Sequence, residues 1–250
     1  MQQTEVIQKY TRFKDALWFK SMIETPVLLC GQGGIGSWTA LALASAGCEQ
    51  LVIIDYDEIE EHNLAGQFFK KSQVGQPKVR AVFDNVKDFS DTEITFINNI
   101  IEEDSDISDF PIIITGFDKM KPRKITFEKW KENVSKLSDE NKENALFIDG
   151  RLTAEQIQIF SIRGNDEAAM DEYLTNHIFD DSVIEDAPCT FKQTRFLAME
   201  IAGIITSIYC NHLVNISTNG QLSVPFFYEV YTPLQMTKKI NRVVVDDQKV

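Results

Sequence analysis

Val27-Leu28-Leu29-Cys30-Gly31-Gln32-Gly33-Gly34-Ile35-Gly36-Ser37 decides the fold. A short apolar run gives way to a glycine-rich turn, which opens onto the apolar stretch from Trp38 to Ala46. Strand, glycine turn and helix start, in that order, offer backbone N–H groups and the positive end of a helix to a nucleotide phosphate. Gly31, Gly33, Gly34, Ile35 and Gly36 are the candidate phosphate-binding positions. Nineteen residues beyond Gly36 a second apolar run, Leu51-Val52-Ile53-Ile54, ends in Asp55. A carboxylate at that strand tip is placed to accept ribose hydroxyls. Taken alone, this pattern fits any Rossmann-type nucleotide site, a nicotinamide-dependent one included.

Further apolar runs at 94–98, 112–115 and 146–149 read as strands, and 37–45 and 76–89 as helices between the early ones. That alternation predicts an α/β, Rossmann-like fold: a mostly parallel sheet with helices on both faces. Residues 152–163 alternate apolar and polar side chains, as an antiparallel extension would. Residues 1–23 read as a helical N-terminal arm. The acidic stretch 164–187 reads as a long, mobile, crossover-type loop, and 131–144 as a solvated helix end and loop. A helix is expected from about Thr190 to His212, apolar on most faces over 196–205, which suggests burial at a subunit interface. A last strand at 225–231 and a loosely ordered charged tail from Thr237 complete a single expected domain over 1–250.

The net charge of −13 and a pI near 4.7 argue against nucleic acid as the main partner. Four scattered cysteines, Cys30, Cys48, Cys189 and Cys210, lack the C-x-x-C pairs of a structural zinc site and suit a reducing cytoplasm. The N-terminal stretch has no signal-peptide core, and no run approaches the ~20 apolar residues that span a bilayer. A cytoplasmic protein without membrane association is expected.

The residues beyond Asp55 are more specific. Asp55-Tyr56-Asp57-Glu58-Ile59-Glu60-Glu61-His62-Asn63-Leu64-Ala65-Gly66-Gln67, then Val74-Gly75-Gln76-Pro77-Lys78, then Thr115-Gly116-Phe117-Asp118, succeed one another in order, with Lys9-Tyr10-Thr11-Arg12 upstream. These stretches resemble the D-x-D-x-V-x-x-x-N-L-x-R-Q, V-G-x-x-K, C-T-D-N and R-Y-x-R-Q motifs of the ThiF/MoeB/HesA family, which includes the adenylation domains of ubiquitin-activating enzymes. With the glycine turn, five motifs cover Tyr10 to Gly150. The resemblance implies an ATP-dependent adenylyltransferase that activates the C-terminal carboxylate of a small ubiquitin-like or sulfur-carrier protein, using ATP and Mg2+. It also implies a homodimer, with a conjugating enzyme as a further partner.

The resemblance assigns roles one by one. Lys78 would contact phosphates, and Asp118 would act at the magnesium or the attacking carboxylate. Asp55 would bind ribose, with Asp57 as the second acid of the pair, and Asn63 and Gln67 would contact ribose and phosphate. Arg12 would reach into a partner's ATP site. In-line attack at the α-phosphorus builds charge on phosphate oxygens, which is why cations are needed there. The family's motif arginine falls at Gly66, so a cation is missing or comes from elsewhere; Arg12, Lys70, Lys71 and Arg123 are the candidates.

Ala187-Pro188-Cys189-Thr190 resembles the family's P-x-C-T segment, whose cysteine forms a thioester. A thiol at a helix N-terminus is a favoured thiolate; the alternative is a small residue before a Thr190 helix cap. Cys30, Cys48 and Cys210 read as packing residues, as do Trp18, Trp38 and Trp130. His62, His177 and His212 carry no ligand-like pattern. Three functions therefore stand: an adenylyltransferase with or without a thioester step on Cys189, an NAD(P)-dependent oxidoreductase, and a catalytically impaired scaffold that binds a ubiquitin-like partner.

Overall fold

The computed structural model describes residues 9–153, 155–181, 193–231 and 237–240. Its centre is an eight-stranded sheet in the order β3-β2-β1-β4-β5-β6-β7-β8. Strands β1 (Val27–Cys30), β2 (Leu51–Ile54), β3 (Thr95–Ile97), β4 (Ile112–Thr115) and β5 (Leu146–Leu152) run parallel. The two central strands, β1 and β4, are buried at every position. Helices cover both faces there, so these strands show no alternation and read as continuous apolar runs.

One face carries α1 (Phe19–Glu24), α2 (Gly34–Ala46), α3 (Lys78–Lys87) and α7 (Arg195–Thr218). The core on this face joins Val27, Leu29, Leu43, Val82, Ile201 and Ile205. The other face carries α4 (Met120–Ser135) and α6 (Glu167–Glu172), around Leu28, Ile113, Phe127, Trp130, Phe147 and Tyr173. A short helix, α5 (Asp139–Asn144), follows α4 with Ser138 accepting at its N-cap. The antiparallel extension is β6 (Gln156–Arg163), β7 (Phe227–Tyr231) and β8 (Thr237–Ile240).

Several expectations change. The stretch expected as a mobile loop holds α6 and a wide helical turn at Tyr173–His177, with Ala169, Met170 and Tyr173 buried. Its acidic surface residues conceal an apolar stripe that plugs the sheet. The expected tail begins with β8, paired with β7. Among its described residues the N-terminal arm is helical at Lys9 and at Phe19–Glu24, with turns between, and 131–144 is mostly helix.

The long second-half helix starts at Arg195, not near Thr190, because Thr194 is extended and serves as its N-cap. Cys189 lies outside the described residues. On length and composition α7 could cross a bilayer. Leu197, Ala198, Ile201, Ala202, Ile205 and Ile208 are instead buried within the chain, while Phe196 and Met199 are exposed.

Candidate active site

Between β1 and β4 the strand order reverses, and at such a switch point the strands' carboxyl ends leave a crevice for a ligand. The glycine turn sits there. Gly31 has φ +84, a left-handed backbone, and a Cβ on it would stand 3.2 Å from the Gly116 backbone. A Cβ on Gly36 would fall 1.8 Å from the Gly31 carbonyl oxygen. Both glycines are therefore required for α2 to start directly over the turn, with its unpaired N–H groups at the crevice. Ser37 closes the base, donating to the Gly33 carbonyl at 2.6 Å and accepting from the Phe68 N–H at 3.0 Å.

Asp55, at the tip of β2, is buried and fixes this turn. Its Oδ2 accepts the Gln32 N–H at 2.5 Å and its Oδ1 the Asp57 N–H at 2.8 Å. Burial raises its pKa; nearby Lys78 and the two N–H groups oppose that only in part. Lys78 opens α3, and its Nζ donates to Asp57 Oδ2 at 2.7 Å. The lysine is buried while Asp57 is nearly half exposed, so the pair faces the crevice with its acid outward.

Asn63 and Gln67 lie on the turn after β2. Asn63 Oδ1 accepts the Glu60 N–H at 2.9 Å, which closes the short helical turn Glu61–Ala65. Its carbonyl end is thus structural. Gln67 is 6% exposed, and its Oε1 has no hydrogen-bond partner. Gln32 Oε1 is likewise buried and unpaired. Such atoms beside a glycine turn mark where a ligand's polar groups enter.

Asp118 follows the β4 turn that packs on Gly31 and is exposed, with no ion pair among the described residues. Arg12 is exposed, and no hydrogen bond or ion pair ties it to the crevice among the described residues. Tyr10, two residues before it, packs against Gly47 and Phe19 at the far end of α2, about 20 Å along a 13-residue helix.

A second polar cluster, unforeseen from the sequence, lies under the β4 and β5 ends. Asp149 is fully buried and accepts from Thr115 Oγ1 at 2.8 Å, Arg151 Nε at 2.8 Å, Tyr173 Oη at 3.0 Å and Arg123. Arg123 also donates to the carbonyls of Gly150 and Phe117. Burial alone would raise the Asp149 carboxyl, but the two guanidiniums outweigh it and hold it below the usual range. The hint in the sequence was a pair of opposite charges, Asp149 and Arg151 about Gly150, interrupting an apolar strand.

The packing readings hold for the other described candidates. Burial pushes Cys48 and Cys210 up to about 12 and raises Cys30 as well, so none is a ready thiolate. His212 is buried against the Asn144 carbonyl, and burial lowers it to about 4. His62 is exposed beside Glu60. Trp130 is in the core, and Trp38 donates to the Gly66 carbonyl at 3.0 Å.

Residues 12–218 match the ThiF family profile. The chain belongs to the ThiF family. Among curated relatives of this ThiF-family chain, the adenylyltransferase and sulfurtransferase MOCS3 of Caenorhabditis briggsae is 40% identical over 82 residues, or 32% of this chain and 20% of the relative. Ubiquitin-like modifier-activating enzyme 5 of Drosophila ananassae is 33% identical over 81 residues, 32% of this chain and 18% of the relative. The matches thus span about a fifth of each relative's length.

Solved structures share the fold over most of the chain. PaaA superposes with a TM-score of 0.70 at 18% identity, covering 95% of this chain and 73% of that one. E. coli tRNA N6-threonylcarbamoyladenosine dehydratase TcdA, in complex with ATP, gives 0.65 at 13%, covering 86% and 97%. E. coli MccB with ATP gives 0.62 at 16%, covering 93% and 71%.

Proposed function

We propose that this ThiF-family chain is an ATP-dependent adenylyltransferase. The observation that carries the reading is the convergence of the glycine turn, Asp55 and the Asp57–Lys78 pair on one crevice, with the buried Gln67 oxygen left without a partner. A hydride-transfer site needs no buried lysine beside its ribose acid. A phosphoryl site does, because charge grows on phosphate oxygens as the α-phosphorus is attacked. The relatives point the same way: MOCS3 is named an adenylyltransferase, and MccB and TcdA are solved with ATP.

The substrate we infer is the C-terminal carboxylate of a small ubiquitin-like or sulfur-carrier protein. A carboxylate oxygen attacks the α-phosphorus, the new P–O bond forms, and pyrophosphate leaves to give an acyl adenylate. Lys78 is the buried cation placed for the phosphates once Asp57 yields it. No trio of acidic, histidine or cysteine side chains gathers to hold a metal among the described residues. A magnesium ion would thus be carried in by the nucleotide and touch Asp118, where it would neutralise phosphate charge. Arg12 serves only if a second copy presents it, which a homodimer would allow.

Cys189 is the proposed thioester nucleophile. Asp181, on one side of the segment that holds it, caps α4 by accepting the Met120 N–H at 2.7 Å. Gln193, on the other side, touches Gly34 and Gly66. Both flanks are anchored at the crevice, which supports a role for the cysteine against an acyl adenylate. Its thiolate would attack the carbonyl carbon and expel AMP.

Calorimetric titration with ATP and with NAD separates the nucleotide classes; ATP alone should bind, and NAD alone binding would overturn the reading. Pyrophosphate exchange is then expected with Mg2+ and a carrier ending in glycine. In Cys189→Ala the exchange should persist while a thiol-labile adduct with the carrier disappears. An adduct that survives this substitution would remove Cys189 from the chemistry.

A further inference from the structure

Gln193, two residues before α7, is seated in a slot that only glycines leave open. A Cβ on Gly34 would stand 2.0 Å from its Oε1 and 2.9 Å from its Cδ. A Cβ on Gly66 would stand 2.9 Å from its Nε2 and 3.0 Å from its Cγ and Cδ. Gly34 is the first residue of α2, and Gly66 closes the turn that bears Asn63 and Gln67. One side chain therefore spans the phosphate end of the crevice, and two positions lack a Cβ to admit it.

The consequence lies two residues further on. Arg195, the first residue of α7, has an exposed side chain whose guanidinium donates to the Leu64 carbonyl, on the same turn. Among the described residues this is the guanidinium's one hydrogen bond, and the rest of its fork matches phosphate oxygens. The other basic candidates are committed or remote. Lys70 pairs with Asp88 at 2.7 Å, Arg123 is buried on Asp149, and Arg12 follows Tyr10, which packs at the far end of α2. No hydrogen bond ties Lys71 to the glycine turn or the 61–67 turn among the described residues.

We propose that Arg195, positioned by Gln193 between Gly34 and Gly66, is the second phosphate-binding cation of the site, beside Lys78. The unpaired Gln67 Oε1 and the unpaired buried Thr194 Oγ1 flank this arrangement and show that its polar groups are not yet satisfied. Gly66 is then an exchange of position: the cation arrives from α7, and the vacated Cβ space holds the residue that aims it. A guanidinium on the 61–67 turn, beside the Gln193 that lies against Gly34, would add to the attraction that the N-terminus of α2 exerts on an anion. The proposal rests on the nucleotide reading above.

The test compares ATP with adenosine in calorimetric titrations of the whole chain. Arg195→Ala should weaken ATP binding tenfold or more and leave adenosine within twofold, since only the phosphates are lost. Arg195→Lys should recover part of the ATP affinity, because a point charge replaces a fork. Gln193→Ala should weaken ATP by a smaller factor, by releasing the arginine. ATP affinity within twofold of wild type in Arg195→Ala overturns the proposal, and so does an equal loss for adenosine. Wild-type chain that binds neither nucleotide nor nucleoside would overturn the nucleotide reading itself.

Discussion

Asp55 and Asp149 are both buried carboxylates at the carboxyl-end edge of one sheet, and their environments push them in opposite directions. Asp149 is ringed by two guanidiniums, a hydroxyl and a phenol, and it is held ionised. Asp55 has two backbone N–H groups and a share of Lys78, whose direct partner is Asp57; burial wins and its pKa rises. A carboxylate whose lone pairs are all engaged is a strut that ties β4, β5, α4 and the 173–177 turn together. A carboxylate left short of donors, beside a glutamine with an unpaired oxygen, is waiting for them. The contrast separates structure from site without appeal to any relative.

The largest effect should fall on the strut. Asp149→Asn leaves Arg123 and Arg151 buried without a counter-charge, and breaking a buried pair in this way costs about 3–5 kcal/mol. Urea unfolding should show the midpoint falling, at unchanged slope, by that free energy divided by the slope. A variant as stable as wild type that no longer binds ATP would move Asp149 out of the frame and into the site.

On the site side the effect should be chemical. Lys78→Ala and Asp118→Ala are each expected to slow pyrophosphate exchange by at least about a hundredfold, or about 2.7 kcal/mol of transition-state stabilisation. Stability should change by no more than about 1 kcal/mol, because Asp57 is partly solvated and Asp118 exposed. Exchange near the wild-type rate would mean that the crevice is not where the phosphates sit. A collapse in stability would instead make the Lys78 pair a second strut.

These two carboxylates were not equally legible in the sequence. Asp55 was readable because its position follows from local order: an apolar strand, a glycine turn and a second strand ending in an acid. The parallel half could be read the same way, since β1, β2 and β4 are continuous apolar runs bounded by turn residues. Asp149 was not readable, because Arg123, Tyr173 and Thr115 come from three distant elements and meet only when the sheet closes. The 164–187 stretch failed for a related reason: its charged residues outnumber the few apolar ones, Ala169, Met170 and Tyr173, that dock it. Gly66 showed that a cation was missing, but that Gln193 occupies the space depends on where α7 begins, which its uniformly apolar body did not fix.

The opposed shifts make a last, smaller prediction that concerns pH alone. For Asp149 the folded pKa lies below the unfolded value of about 3.9. Its contribution is present above that value and is lost as pH falls through the folded pKa. For Asp55 the folded pKa lies above about 3.9, so the folded state holds a proton that the unfolded chain has released, and ionisation costs stability as pH rises through that window. The stability difference between wild type and Asp149→Asn should therefore grow with pH, on the acid side of about 4. The difference between wild type and Asp55→Asn should shrink with pH, on the alkaline side of about 4. Neither slope can exceed about 1.4 kcal/mol per pH unit, the limit for one proton. Urea melts at closely spaced pH values would resolve the two signs. Slopes of the same sign would mean that Asp55 is as fully satisfied as Asp149. Saturating ATP should then flatten the Asp55 slope in wild type, because ribose hydroxyls would supply the donors that the chain itself does not give this carboxylate.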